Sequence, residues 1–97
     1  ANKILRSIEQ AVDRLEKLLD MKLSNNRRFL LYLHTSCMVE RILRKEDVDP
    51  QEDIEDFIKK EKRKVDIVKY SLSDIEKEYT IEISDLEIRL ICDIIFN

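Results

Sequence analysis

The sequence contains no glycine and no tryptophan, and it has one proline and one histidine. A domain without glycine has few tight turns with positive φ, which disfavours an all-β fold built on hairpins. It also excludes a glycine-rich phosphate-binding loop. No apolar run approaches the roughly 20 residues that span a bilayer, and no signal-peptide pattern is present. Helices joined by short polar segments are therefore predicted.

The composition is typical of amphipathic helices with charged outer faces. Charged residues make up 40% and hydrophobic residues 43% of the 97 residues, which suits one small domain. The net charge of -3 gives no basic surface for nucleic acid, so no direct nucleic-acid contact is expected. Because the chain opens at Ala1, residues 1–97 are expected to be a single domain excised from a longer, cytoplasmic protein.

Apolar residues recur at spacings of three and four in five segments, which predicts an all-α, compact five-helix bundle. The helices are expected from Asn2 to about Met21, from about Asn26 to Lys45, from Pro50, through the stripe Val65 to Tyr79, and from Ser84 onward. No breaking residue separates the third helix from the fourth, so the two are compatible with one continuous helix. The pattern shows no internal repeat.

Two capping boxes are predicted at helix starts. Asp49 is the expected N-cap of the third helix, with Pro50 in its first position and Glu52 as the reciprocal partner. Ser84 and Glu87 form the second box and open the last helix.

The second helix carries apolar residues nearly all the way round, so it is expected to be central and packed on several sides. It also holds the single histidine, His34. On a helical wheel, His34 lies within about 40° of three cations. These cations are Arg27, Arg41 and Lys45. The histidine therefore belongs to a narrow basic line on an otherwise apolar helix.

Two interpretations of this basic line remain open from the residues alone. In the first, His34 is a partly buried neutral imidazole with a structural hydrogen bond, and the arginines are surface side chains. In the second, His34 is a nucleophile and phosphoryl acceptor, as its near-neutral pKa allows. Arg41, two turns away on the same face, would then supply the planar donor group that phosphate favours.

No enzyme active site, metal centre or cofactor is expected. A structural zinc site needs four clustered ligands, and His34 with two distant cysteines does not provide them. A dyad of Cys37 and His34 lacks oxyanion donors and an orienting third group. Cys37 and Cys92 lie in apolar helical surroundings and are predicted to be buried free thiols.

The segment HTSCMVER, His34 to Arg41, resembles the H-x(6)-R signature in the second helix of PTS regulation domains (PRDs). A polar loop with Pro50 follows in the position of the family's NP turn. The segment YTIEISDLEIRLICDII resembles the family's closing helix, with Glu87 at its glutamate. The resemblance covers nearly the whole chain and implies a five-helix bundle that is often dimeric.

The resemblance also implies a function. PRDs occur in bacterial transcriptional regulators of sugar utilisation, where phosphotransferase-system proteins phosphorylate them on histidine. It implies His34 as the phosphoacceptor, Arg41 as a phosphate-supporting residue, and HPr, enzyme IIB and a second copy as partners. Arg27, on the same basic line of the second helix, is expected to support the phosphate as well. The segment MVERILRKE, residues 38–46, resembles LevR-like sigma-54-dependent activators more than BglG/LicT-type antiterminators.

One departure from the family pattern reduces the expected sites to one. Many PRDs carry a second histidine about seven residues after the glutamate, and the nearest position here is Ile94. A phosphate on His34 adds close to two negative charges and would shift dimer or domain packing. A non-phosphorylated structural bundle and a histidine phosphotransfer domain are the alternatives. The second is disfavoured because such domains usually carry Lys-Gly soon after the histidine and this chain has no glycine. A histidine-kinase dimerisation helix is disfavoured because Thr35 and Ser36, rather than a glutamate, follow the histidine.

Overall fold

The computed structural model describes residues 2–46 and 53–97, which form five α-helices and no strand. The helices are α1 (Asn2–Leu19), α2 (Asn25–Leu43), α3 (Ile54–Lys60), α4 (Lys62–Tyr79) and α5 (Asp85–Phe96). The Cα radius of gyration is 12.8 Å, close to the roughly 13 Å expected for a globular chain of about 100 residues. The predicted compact, all-α five-helix bundle is confirmed. None of the described helices is both long and apolar enough to span a membrane.

The core lies between two antiparallel helix pairs, α1 with α4 and α2 with α5. Helices α1, α4 and α5 contribute the apolar stripes that their sequences predict, and α2 contributes one side of a helix that is apolar nearly all the way round. The buried residues include Ile8, Val12 and Leu15 of α1, Leu31, Met38 and Val39 of α2, Val65, Val68, Leu72 and Ile75 of α4, and Ile88, Ile91 and Ile95 of α5. Burying each such side chain stabilises the fold by about 1.5–3 kcal/mol relative to leaving it exposed.

The bundle is built from two similar helical hairpins, a structural relation that the sequence does not show as an internal repeat. The first helices of the hairpins begin at Asn2 and Lys62 and end at Leu19 and Tyr79, which places equivalent residues 60 apart. The second helices, α2 and α5, begin with the same offset. We call this relation the hairpin offset.

The loops inside the two hairpins also match. Asp20 and Thr80 both have φ of 52° immediately after their helices. Ser24 and Ser84 then cap the next helix, and each side-chain oxygen accepts the backbone N–H three residues later. The repeat therefore extends from helix ends to caps.

A carboxylate closes each hairpin loop. Glu16 Oε2 accepts the backbone N–H of Leu23 at 2.7 Å, and Glu76 Oε2 accepts that of Ile83 at 2.9 Å. The two hydrogen bonds are equivalent under the hairpin offset, because Glu76 corresponds to Glu16 and Ile83 to Leu23. They bind the C-terminal turn of the first helix to the residue before the N-cap of the second, which fixes the angle between the helices.

Thr80→Gly is expected to raise the free energy of unfolding by about 1 kcal/mol. Thr80 lies in the left-handed region, with φ 52° and ψ 52°, where a β-branched side chain is unfavourable. Urea unfolding would measure the gain. Asp20→Gly is the matched comparison, because Asp20 has the same φ but tolerates this region better. A Thr80→Gly chain no more stable than the wild type would contradict the prediction.

Several predicted boundaries need correction. Helix α1 ends at Leu19 rather than near Met21, because the left-handed Asp20 stops it. Helix α2 ends at Leu43, and Lys45 has φ of 59°, so Lys45 is not on the helical face where the wheel placed it. Helices α3 and α4 are separate, with a break at Glu61. There α3 turns to pack on α5, while α4 packs on α1.

The predicted caps and cysteines are confirmed only in part. The capping box of Asp49, Pro50 and Glu52 lies outside the described residues. Ser84 Oγ accepts the N–H of Glu87 at 3.4 Å, but the Glu87 carboxylate turns to Arg41 instead of completing the box. Both cysteines are free thiols. Cys92 is buried, which raises its thiol pKa to about 11, whereas Cys37 is exposed and its predicted burial is wrong.

Candidate functional site

The single histidine lies midway along α2 and faces the start of α5. His34 Nε2 is 3.9 Å from Glu87 Oε1. The His34 side chain is 24% exposed, whereas the Glu87 side chain is 3% exposed. The imidazole therefore lies at the boundary between the core and the surface, with a buried carboxylate beneath it.

Arg41 completes a three-residue cluster with His34 and Glu87. Its Nη2 donates to Glu87 Oε2, so one carboxylate oxygen holds the arginine and the other faces the histidine. The seven-residue spacing of His34 and Arg41 puts both side chains on one face of α2, two turns apart. Glu87 lies in the first turn of α5, where the helix dipole favours a negative charge.

The cluster contains three buried polar atoms without a hydrogen-bond partner. They are His34 Nε2, Arg41 Nε and Glu87 Oε1, and they are the three such side-chain atoms found across residues 2–46 and 53–97. A buried unpaired polar atom costs about 1–3 kcal/mol, and native proteins carry few of them. Their concentration in one place marks this cluster as the candidate functional site.

The charge state of the histidine follows from its position. Burial lowers the pKa of His34 below its ordinary value of 6.5, Glu87 partly opposes that effect, and Arg41 adds to it. The imidazole is therefore neutral near pH 7. A neutral imidazole has a free lone pair on one nitrogen, which makes it a nucleophile.

Acidification is expected to destabilise the wild type more than His34→Asn. Because the folded state has the lower His34 pKa, the unfolded state binds more protons as the pH falls below about 6.5. The contribution of the neutral His34 to the free energy of unfolding is fully present above that pH and is lost progressively below it. Urea unfolding of both chains between about pH 7 and pH 5 would measure the stability difference. A difference that does not change with pH would contradict the prediction.

Arg27 lies on the same face of α2 as His34 and Arg41, but its side chain does not join their cluster. Its Nη1 donates to the carbonyl oxygens of Ile94 at 2.7 Å and Ile95 at 3.2 Å, in the last turn of α5. A cation is favourable there because it complements the helix dipole. Under the hairpin offset, Arg27 corresponds to Glu87 and Ile94 to His34. The structure thus brings together His34, Arg41 and Glu87 and places Arg27 at the opposite end of α5.

Sequence reasoning missed Glu87 as a site residue. The capping pattern at Ser84 explained the glutamate without a tertiary partner, although its side chain is almost fully buried. A glutamate among the apolar residues of a short helix was the available signal, because buried carboxylates in proteins are almost always paired.

The outer face of α2 is exposed, although the helix is apolar nearly all the way round and was expected to be central and packed on several sides. Four positions are exposed there: Phe29 (61%), Leu30 (42%), Leu33 (53%) and Cys37. We call these residues the α2 outer row. Under the hairpin offset they correspond to Arg89, Leu90, Asp93 and Asn97 of α5. The fold therefore tolerates polar residues at three of the four positions.

The comparison with protein families agrees with this architecture. The model of the PRD domain family matches residues 5–97. The curated proteins and the solved structures gave no significant match. Because the family match spans both hairpins and the whole His34 cluster, the chain belongs to the PRD domain family.

Proposed function

We propose that this PRD is a regulatory phosphoacceptor domain, in which His34 receives a phosphoryl group from a phosphotransferase-system protein. The donor is HPr or an enzyme IIB component. The observation that carries the proposal is the cluster of His34, Arg41 and Glu87, with its three unpaired buried polar atoms. The domain is the substrate of its donor and not itself an enzyme, and it acts in the cytoplasm.

The cluster supports an electrostatic switch. A phosphate on His34 brings close to two negative charges to a cluster that already contains the Glu87 carboxylate. It offers Arg41 a second anionic partner, with three acceptor oxygens, that competes with Glu87 for the guanidinium. Since Arg41 and Glu87 join α2 to α5, the exchange changes the contact between those helices. A two-state packing of domains or copies responds to such a local change.

The α2 outer row supports docking of a protein beside His34. On a helical wheel, Leu30 and Cys37 flank His34, and both are exposed. Exposed apolar rows of this kind favour protein–protein contact. The two partners in the proposal are the phosphodonor during transfer and a second copy of the domain in a homodimer.

The regulatory setting that we propose is a LevR-like, sigma-54-dependent activator of a sugar-utilisation operon. Support comes from the resemblance of residues 38–46 to that branch. It also comes from Ile94, which occupies the position where many PRDs carry a second histidine. One phosphorylated histidine would then control the domain.

The test is a phosphotransfer assay with phosphoenolpyruvate, enzyme I and HPr, with and without candidate enzyme IIB proteins. Intact-mass spectrometry is expected to show one acid-labile phosphoryl group on the wild type and none on His34→Ala. Cys37→Ser, on the same helix, is the matched control and is expected to keep the label. If no donor labels the wild type, the proposal is wrong and the non-phosphorylated structural bundle is favoured.

A further inference from the structure

We infer that Nδ1 of His34, rather than Nε2, accepts the phosphoryl group, and that Glu87 is the positioning residue that keeps Nε2 protonated and turned inward. This inference rests on the proposed function, and it goes further by naming the reacting atom and the residue that selects it.

Solvent access distinguishes the two ring nitrogens of His34. Nε2 is buried, with under 1 Å² of accessible surface, although the His34 side chain as a whole is 24% exposed. The exposed area therefore belongs to the other atoms of the side chain. A donor phosphohistidine on another protein must bring its phosphorus to within about 3–3.5 Å of the acceptor nitrogen. Nε2 cannot be approached in that way from outside the bundle.

The buried carboxylate of Glu87 selects the orientation of the His34 ring. Glu87 Oε1 is buried without a hydrogen-bond partner, and Nε2 lies 3.9 Å from it. A proton on Nε2 therefore lies on the side of the ring nearest to a carboxylate oxygen that needs a donor. Turning the ring over would place a C–H group nearest to that oxygen and take away the one ring N–H that can approach it. A partner on one ring nitrogen determines which nitrogen keeps the proton, and here that partner is Glu87.

Glu87 is itself held in place. Its second oxygen accepts from Arg41, and its position in the first turn of α5 fixes its backbone. The carboxylate is therefore a rigid reference for the ring. One oxygen of Glu87 therefore binds Arg41, and the other lies nearest to His34. These two roles explain why a buried carboxylate lies beneath a partly exposed imidazole.

The transfer step balances with these groups alone. The lone pair on Nδ1 attacks phosphorus, the N–P bond of the donor phosphohistidine breaks, and the electron pair returns to the donor imidazole. The proton on Nε2 stays in place throughout. The His34 ring becomes a phosphoimidazolium, and Glu87 Oε1 stabilises the positive charge that develops on it.

Long-range ¹H–¹⁵N correlation NMR on the histidine-labelled chain tests the inference directly, since the spectrum contains one histidine. Before phosphorylation, the neutral ring is expected to carry its proton on Nε2. After phosphotransfer, the phosphorus is expected on Nδ1. A phosphate on Nε2, or a ring protonated on Nδ1, would overturn the inference while the proposed function stands. No phosphate at all would overturn both.

Glu87→Gln distinguishes positioning from a purely structural role. The variant keeps the shape of the side chain but removes its charge, and a mixture of both neutral tautomers with about tenfold slower phosphorylation is expected. Glu40→Gln, an exposed glutamate on α2, is the control and is expected to keep the wild-type tautomer and rate. An unchanged tautomer in a folded Glu87→Gln chain would contradict the positioning role. Should Glu87→Gln fail to fold, the inference is tested by the tautomer of the wild-type ring and by the nitrogen on which the wild type is phosphorylated.

Discussion

Replacing Glu87 with alanine is expected to lower the free energy of unfolding by about 3 kcal/mol, at the low end of the range for breaking a buried ion pair. The carboxylate is 3% exposed and bonds Arg41, whose side chain is 28% exposed. Removing it leaves a partly buried guanidinium without its anion. Arg41 can recover some hydration, which is why the cost is not larger.

Urea unfolding with Glu40→Ala as the control measures this effect. Glu40 pairs with Arg44 on the surface of α2, with both side chains more than 60% exposed. An exposed i,i+4 pair contributes only about 0.3–0.5 kcal/mol. The double variant Glu87→Leu/Arg41→Met is expected to return to within about 1 kcal/mol of the wild type, because it removes both buried charges. Equal losses for Glu87→Ala and Glu40→Ala would show that the buried pair has no special role.

The second large effect is expected at the first hairpin loop, where Glu16→Ala should lower the free energy of unfolding by about 2 kcal/mol. Glu16 is 6% exposed, accepts the buried N–H of Leu23 and bonds Arg28 at 2.8 Å. The substitution leaves the Leu23 amide without an acceptor. Arg28 retains Asp13 and Tyr32 as partners, so most of the loss comes from the amide.

The second hairpin provides the matched comparison. Glu76 makes the equivalent bond to Ile83 in a more exposed setting, so Glu76→Ala is expected to cost about 1 kcal/mol. Glu16→Gln keeps an acceptor oxygen and should lie between Glu16→Ala and the wild type. Amide hydrogen exchange at Leu23 is expected to accelerate in Glu16→Ala. A cost below that of Glu76→Ala would contradict this account of the loop.

The sequence predicts most of the helices well because α1, α4 and α5 have a clear apolar periodicity. It does not reveal the repeat, because the two hairpins share structural roles more than residue identities. Glu16 and Glu76 are identical, as are Ser24 and Ser84, but few other equivalent positions are, and core pairs such as Val12 and Leu72 share only apolar character. Helix ends were missed by a few residues where Asp20 and Lys45 adopt positive φ without glycine.

The candidate site is predicted in part. The spacing of His34 and Arg41 places them on one helical face, which local geometry determines. Glu87 is more than 40 residues away, and only the packing of α5 on α2 brings it to them. Arg27 shares their face of α2, yet it bonds the end of α5. A wheel describes one helix and cannot show which neighbour each residue meets.

The hairpin offset provides a way to follow the proposed change at the His34 cluster on phosphorylation. The bundle holds two matching seams between α2 and α5, one where His34 meets Glu87 and one where Arg27 meets the Ile94 carbonyl. Only the first contains a group that takes up protons or phosphate in the proposed function. The second is an internal reference, because it lies at the equivalent place between the same two helices and contains no phosphoacceptor. Spectral changes confined to the first seam report the signal, and changes in both report a rearrangement of the whole bundle.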